Sequence, residues 1–179
     1  MPDIDRLSLR TAVAQDAAAI ARLINAAYNG DESRAGWTHE SELLTGERTD
    51  EAEVRALIAA PDSVLLLCLA EAEIVGSVLL QRQGDSAYLG MFVVRPRLQG
   101  AGIGKRLMQA AEGHVQREWG VGRMTMSAIT LRPELIEFYG RRGYRPTGEV
   151  LPFPPEAAAR ARVEGIELAV LAKDLTSPG

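Results

Sequence analysis

Residues 91–106 read Met-Phe-Val-Val-Arg-Pro-Arg-Leu-Gln-Gly-Ala-Gly-Ile-Gly-Lys-Arg, and this stretch decides how the chain folds. The apolar run 91–94 predicts the end of a strand, and the glycines after Pro96 predict a turn into a helix. Glycines let the backbone approach a ligand closely, and the first N–H groups of a helix favour an anion. The stretch therefore predicts an anion site, with pyrophosphate as the obvious ligand.

Two familiar phosphate-binding loops do not fit these letters. A P-loop requires Gly at position 99 and Ser or Thr at position 106, where this chain has Gln99 and Arg106. The dinucleotide fingerprint requires Gly at position 105, where this chain has Lys105. What remains is Gln-x-x-Gly-x-Gly, formed by Gln99, Gly102 and Gly104. A tight turn without a ligand is the competing interpretation, which the rest of the chain must decide.

Length and composition predict one soluble domain over 1–179, with a core over 7–173. The chain has 179 residues and is 46% hydrophobic, which is enough for one sizeable core. A net charge of −4 argues against nucleic acid as a partner, because phosphate binding leaves a basic footprint. No long apolar run or signal-peptide pattern is present, so we expect a cytoplasmic protein with no membrane partner.

The cysteine and the two histidines indicate neither a disulfide nor a metal site. Cys68 is the only cysteine and lies in an apolar run, so we expect a buried thiol. His39 and His114 have no ligand spacing with it, and we therefore predict no metal.

The segments before the opening stretch predict a strand, two helices and an antiparallel meander. Asp16 is the expected cap of the first helix and Asp50 that of the second. The region 28–50 is polar and irregular, with one short helix at 37–44. The predicted strands are 7–13, 63–70, 74–81 and 87–94, and the predicted helices are 17–27 and 51–60.

The segments after it alternate helices and strands. A helix from 103 ends near Gly120, and a short helix begins at Pro133. The predicted strands are 122–129, 144–150 and 166–171, with a proline-rich connection from Leu151. The order predicts an α/β or α+β fold around one mixed sheet.

A second motif favours a ligand-binding role for the glycine loop over a tight turn without a ligand. Residues 138–144 read Phe-Tyr-Gly-Arg-Arg-Gly-Tyr, downstream of the loop. Together the two motifs resemble those of the GNAT superfamily of acyl-CoA-dependent N-acyltransferases. The resemblance implies a mixed, mostly antiparallel sheet of about seven strands, with helices on both faces and a splayed gap between the fourth and fifth strands.

The resemblance also implies a site for acetyl-CoA as cosubstrate. The acyl and pantetheine portions would lie along the backbone of Met91, Phe92 and Val93. The pyrophosphate would lie on the loop made by Gln99, Gly100, Ala101, Gly102, Ile103, Gly104 and Lys105. Arg106 could add charge there, although Lys105 and Arg106 fit a solvated helix turn equally well.

Catalysis by this family needs a proton donor for the leaving thiolate and an acceptor for the amine proton. Tyr139 matches the general acid of the family, with a packed aromatic as its alternative. The fourth strand of many relatives carries a Glu, whereas 88–94 carries no acid. Among His39, Glu40 and Glu42 we favour Glu40 as the general base or as an anchor for the amine. The alternative for Glu40 is an exposed carboxylate on the helix surface. Thr130 stands where many relatives have Asn.

The implied acceptor is the primary amine of a small or amino-acid-like molecule. Arg48 and Thr49 could bind an acceptor carboxylate, or could simply face solvent. Protein N-termini and lysines are a second acceptor class, and a binding domain without turnover is a third reading. Dimers are common in the superfamily, so the resemblance leaves a homodimer open.

Overall fold

A computed structural model of the protein describes residues 4–28, 47–154 and 165–175. The order of elements matches the prediction, whereas the expected helix at 37–44 lies outside the described residues. The elements are β1 (Leu7–Thr11), α1 (Ala17–Tyr28), α2 (Glu51–Ala59), β2 (Ser63–Ala70), β3 (Glu73–Gln83), β4 (Ser86–Val94), α3 (Ile103–Trp119), β5 (Arg123–Ile129), α4 (Pro133–Gly140), β6 (Arg145–Pro152) and β7 (Glu167–Asp174).

The strands form one mixed sheet, as predicted. Their order is β1-β2-β3-β4-β5-β7-β6. The neighbours β4 and β5 are parallel, and every other neighbouring pair among the described strands is antiparallel. The meander β2-β3-β4 is therefore confirmed, and α3 provides the crossover that a parallel pair requires.

Helices cover the sheet on two faces. The front face, as we define it, packs against α1 and α2, and the back face packs against α3 and α4. In β2, Leu65 and Leu67 face the front whereas Leu66 and Cys68 face the back. Burial on both faces explains why this strand is a continuous apolar run. Cys68 is fully buried as predicted, and burial raises the pKa of its thiol.

The helix ends follow the sequence signals except at α1. Asp50 accepts a hydrogen bond from the Glu53 N–H at 2.8 Å, and Gly120 ends α3 with φ of 64°. Asp16, in contrast, belongs to a 3₁₀ turn that precedes α1. Its carboxylate accepts the Val13 N–H at 2.8 Å, so it caps this turn, and the prediction of an α1 cap was wrong.

The strand β6 extends further than predicted. The expected proline-rich connection begins at Leu151, yet β6 continues to Pro152 and also contains Pro146. Both prolines are tolerated because β6 is the edge strand of the sheet, where one side needs no hydrogen-bond partner. In the described ranges, no helix is long and apolar enough to cross a membrane.

Candidate active site

The two parallel strands separate soon after they meet. Their pairing is limited to Ala87 with Met124 and Tyr88 with Thr125. From there β5 pairs with β7 over its whole length, and β4 continues beside β3. The predicted gap between the fourth and fifth strands is therefore confirmed, and it opens at the end of β4 that leads into the glycine loop.

A β-bulge lies at the edge of this gap. Ser77 pairs with Val93 and Leu79 with Gly90, so β4 has one residue more than β3 between these pairs. Met91 takes up this residue with φ of 46°, in the left-handed region that non-glycine residues rarely occupy. The bulge redirects the backbone at the residues predicted to hold the acyl and pantetheine portions.

The glycine loop leaves β4 and enters α3 through a left-handed turn. Gly100 and Gly102 have φ of 90° and 85°, which L side chains adopt only with strain. Gln99 donates from its Nε2 to the Val94 carbonyl at 3.0 Å and so ties the loop to the strand. The side chain of Ile103 is buried, that of Arg106 is half-buried and that of Lys105 is exposed.

The N-terminus of α3 is suited to an anion. Gly102 supplies no side-chain cap, and the first backbone N–H groups of a helix, here from Ile103 onward, have no partner within the helix. Such N–H groups, together with the helix dipole, favour a phosphate. Lys105 adds an exposed cation in the same turn.

Phe92 is the point at which the predicted parts of the site meet. Its side chain is 2% exposed and faces the back of the sheet. Gly104 of α3 lies against it, since a Cβ at position 104 would be 3.5 Å from Phe92 Cζ. The ring of Tyr139 stands edge-on to Phe92, with centroids 6.3 Å apart. The bulge, the glycine loop and α4 are thus brought together.

Tyr139 is held in an aromatic cluster. Its side chain is 8% exposed, and its ring is 5.2 Å from that of Phe138 and 6.3 Å from that of Tyr144. The guanidinium of Arg142 lies over Phe138 at 3.6 Å, and its Nη1 donates to the Phe138 carbonyl at 2.8 Å. These contacts fix the end of α4 that carries Tyr139.

A charged pair supports this cluster from beneath. The Tyr144 hydroxyl donates to Glu112 at 3.1 Å, and Lys173 Nζ contacts both oxygens of the same carboxylate at 3.0 and 3.1 Å. Burial, with the nearby Glu112 carboxylate, raises the pKa of Tyr144 well above its usual range. Tyr144 is therefore a neutral core residue.

The front side of the gap begins at the end of α1. The Tyr28 hydroxyl donates to the Phe92 carbonyl at 3.3 Å, and the Arg48 guanidinium lies 5.8 Å from the Tyr28 ring centroid. Asn25 accepts hydrogen bonds from the N–H groups of Arg48 and Thr49 at 2.7 and 3.0 Å, and donates to the Thr49 carbonyl at 2.9 Å. Arg48 is thus fixed close to the bulge.

Sequence reasoning missed Asn25 and Tyr28 because their partners are far away in the chain. The candidates His39, Glu40 and Glu42 lie outside the described residues, so the structure does not place them. Among the described residues, no group of three His, Cys, Asp or Glu side chains is arranged to hold a metal ion.

The sequence model of the acetyltransferase (GNAT) domain matches residues 28–152, which contain the meander, the glycine loop and the Tyr139 motif. The chain belongs to the GNAT acetyltransferase family. No protein with a curated functional description matches the sequence. The family and the fold together support acyltransferase activity.

Solved GNAT structures share this fold at low sequence identity. The ribosomal-protein-S18-alanine N-acetyltransferase of Escherichia coli is 12% identical with a TM-score of 0.68, over 97% of this chain and 96% of that one. Ard1 of Thermoplasma volcanium is 17% identical with a TM-score of 0.71, over 96% and 99%. The yncA protein of Salmonella typhimurium, solved with its cofactor acetyl-CoA, is 18% identical with a TM-score of 0.68, over 96% and 95%.

Proposed function

We propose that the protein transfers an acetyl group from acetyl-CoA to the primary amine of a small or amino-acid-like molecule, by direct attack. The observation that carries this proposal is the meeting at Phe92 of the β4 bulge, the N-terminus of α3 and the Tyr139 ring. A thioester lying along the bulge would have an anion site at one end and a phenol nearby.

The residues present fit acetyl-CoA. The N–H groups from Ile103 to Lys105 and the helix dipole would receive the pyrophosphate, with Gln99 holding the loop in place. Backbone groups of Met91, Phe92 and Val93 lie at the gap, where the amides of the pantetheine arm could pair with them as an added strand does. The yncA protein, which shares the fold, was solved with acetyl-CoA as its cofactor.

The acceptor ammonium first loses one proton to solvent to become a neutral amine, and the reaction then requires two further proton movements. The neutral amine nitrogen attacks the thioester carbon, so that a C–N bond forms and the C–S bond breaks. A backbone N–H near Phe92 or Val93 would stabilise the charge that develops on the carbonyl oxygen. Tyr139 would donate its phenolic proton to the departing sulfur and recover a proton from solvent. The second proton leaves the amine, and Glu40 is the proposed base or amine anchor on the strength of the sequence.

The placement of Arg48 supports an acceptor that carries a carboxylate. An alkylamine has a pKa of about 10.4, so such an acceptor arrives as a zwitterion whose negative end needs a cation. Arg48 is half-buried, its backbone is fixed by Asn25 and its guanidinium lies 5.8 Å from the centroid of the Tyr28 ring, an arrangement that favours a restricted side chain before the acceptor binds. A guanidinium binds a carboxylate through two parallel hydrogen bonds, which would orient the amine.

Two other readings set the design of the test. The Escherichia coli protein of similar fold acts on the alanine of a ribosomal protein, which makes protein N-termini a second acceptor class. The alternative function is a domain that binds acetyl-CoA without catalysing a reaction. The observation that favours it is the lack of an acidic residue in residues 88–94.

Release of CoA thiol from acetyl-CoA should be measured with L-amino acids, their carboxamides, spermidine and tripeptides with free N-termini. Tyr139→Phe should lower kcat by about a hundredfold while acetyl-CoA still binds, because only the proton donor is lost. Tyr144→Phe is the matched control; it removes a neighbouring hydroxyl and should keep kcat within about threefold. Undiminished turnover by Tyr139→Phe would remove the assigned acid.

A further inference from the structure

Two hydroxyl groups meet across the separating strands. Tyr88 of β4 and Ser127 of β5 are hydrogen-bonded at 3.1 Å between Oη and Oγ. The neighbours of Tyr88, Ala87 and Leu89, belong to the core on the back face. Because side chains alternate along a strand, the Tyr88 ring lies on the front face, where α1 and α2 pack.

The pair lies beyond the last backbone pairing of β4 with β5. That pairing joins Tyr88 to Thr125, and Ser127 is two residues further along β5 on the same face. The Tyr88 ring leans forward over Gly90, since a Cβ at position 90 would be only 2.8 Å from Tyr88 Cε1. Both hydroxyls are thus at the start of the gap, and Gly90 provides the space that the ring occupies.

The two hydroxyls can bind an amine, a role for which β4 provides no carboxylate. Residues 88–94 carry no acid that could bind an incoming amine. A hydroxyl has one proton and two acceptor lone pairs, so a bonded pair of hydroxyls keeps one O–H and several lone pairs for a ligand. Those lone pairs can accept the N–H groups of an amine that approaches the thioester from the front.

We propose that Tyr88 and Ser127 bind and orient the attacking amine of the acceptor. The proposal rests on the proposed transferase function and adds two residues that contact the nucleophile. The Phe92 carbonyl accepts a hydrogen bond from the Tyr28 hydroxyl at the end of α1. Polar groups therefore line the front of the gap both at Tyr28 and at the pair of Tyr88 and Ser127. The Tyr88 ring extends over Gly90 toward the bulge at Met91, so an amine held by Tyr88 and Ser127 would lie on the side of the bulge where the thioester is proposed to bind.

The test compares single-hydroxyl deletions in the full-length protein, with the amine panel named above as probe. Tyr88→Phe and Ser127→Ala should each raise KM for the best amine, and lower kcat/KM for it by about tenfold, because one acceptor of the amine N–H is lost. KM for acetyl-CoA should stay within about twofold, because the loop and the bulge are unchanged. Ser127→Thr keeps the hydroxyl and should restore most of the amine kcat/KM.

Two further variants test whether the hydroxyl pair binds the amine or only links β4 to β5 through a hydrogen bond. Gly90→Ala should reproduce the loss seen in Tyr88→Phe, because the added methyl group displaces the ring. Thr125→Val is the matched control: its hydroxyl lies on the same face but is directed to the Ala87 carbonyl at 3.5 Å, so its amine kcat/KM should equal that of the wild type.

The outcomes distinguish this proposal from the function on which it rests. If the wild type acetylates an amine while Tyr88→Phe and Ser127→Ala keep amine kcat/KM within about twofold, the pair only joins the strands and the inference is overturned. Equal losses for the amine and for acetyl-CoA, with a lower melting temperature, overturn it as well. If the wild type acetylates no amine in the panel, the transferase function itself fails, and this inference fails with it.

Discussion

The proposed choice of an acceptor with a carboxylate depends on Arg48. Its guanidinium stands over Tyr28, and the hydroxyl of that ring contacts β4 beside the bulge. A carboxylate bound there would be one aromatic ring away from the place where the amine must react. The three hydrogen bonds of Asn25 restrict the backbone at this point, which lowers the entropy cost of binding.

We expect Arg48→Gln to change selectivity more than rate. The ratio of kcat/KM for an L-amino acid to that for its carboxamide should fall by about tenfold, because a charge-assisted hydrogen bond to the carboxylate is lost. Arg55→Gln is the control, since Arg55 is an exposed residue of α2 paired with Glu51. An unchanged ratio in Arg48→Gln would place the acceptor carboxylate elsewhere.

The glycine loop and α3 form the element on which the proposed cosubstrate binding depends. Gly102 precedes the helix with φ of 85° and ψ of 0°, so the direction of the first N–H groups depends on a left-handed residue. A side chain at this position must either accept the strain or rotate the start of α3.

Gly102→Ala should therefore weaken acetyl-CoA binding by about tenfold and lower the free energy of unfolding by about 1 kcal/mol. Titration calorimetry and a urea melt give the two values. Gly122→Ala is the matched control, because Gly122 has no atom within 4 Å of a built Cβ and is not among the glycines with positive φ. Equal affinity in the two variants would show that the loop does not bind the cosubstrate.

The entry to α1 depends on an ion pair. Asp16 receives Arg10 through two hydrogen bonds of 2.8 and 3.0 Å, as well as the Val13 N–H. The hydrogen bond from Arg10 is the main reason that the pKa of Asp16 is lowered. Because the pKa of Asp16 is lower in the folded state than in the unfolded state, its ionised carboxylate stabilises the fold at any pH above the unfolded-state pKa of about 3.9. This stabilisation is lost as the pH falls through the pKa of Asp16 in the folded state.

Asp16→Asn should thus cost about 1 kcal/mol at neutral pH, a small value because Arg10 is 44% exposed. The difference from the wild type should shrink as the pH falls below about 4 in urea melts. Asp174→Asn, which breaks the exposed pair with Arg123, should cost less than about 0.5 kcal/mol. A cost for Asp16→Asn that does not change with pH would contradict the account.

For the molecule as a whole, the sequence predicted the parts that depend on local signals. The glycine loop, the cap at Asp50 and the stop at Gly120 are local, and the apolar run of β2 reflects burial on two faces. Together with the motif around Tyr139 they gave the family and the sheet. The cap at Asp16 was wrong because a carboxylate can bond to the backbone before it as well as after it.

The acceptor side was far less predictable. It is built from pairs distant in sequence, such as Asn25 with Arg48 and Tyr88 with Ser127. Ser127 meets Tyr88 only because the register joins Thr125 to Tyr88 and the ring leans over Gly90. A sequence pattern shows which strand face a residue occupies but not which residue stands opposite, so the proposal for the amine-binding residues needed the structure.

In the proposed function, the glycine loop and the backbone of β4 bind acetyl-CoA, and the amine approaches from the front face of the sheet. The most direct test is the fate of the acetyl group when acetyl-CoA labelled with carbon-13 in that group is incubated with the protein and the amine panel. The account predicts that mass spectrometry finds the label on the nitrogen of at least one amine, with one equivalent of free CoA. Label that stays on CoA, although titration shows that acetyl-CoA binds, would contradict it.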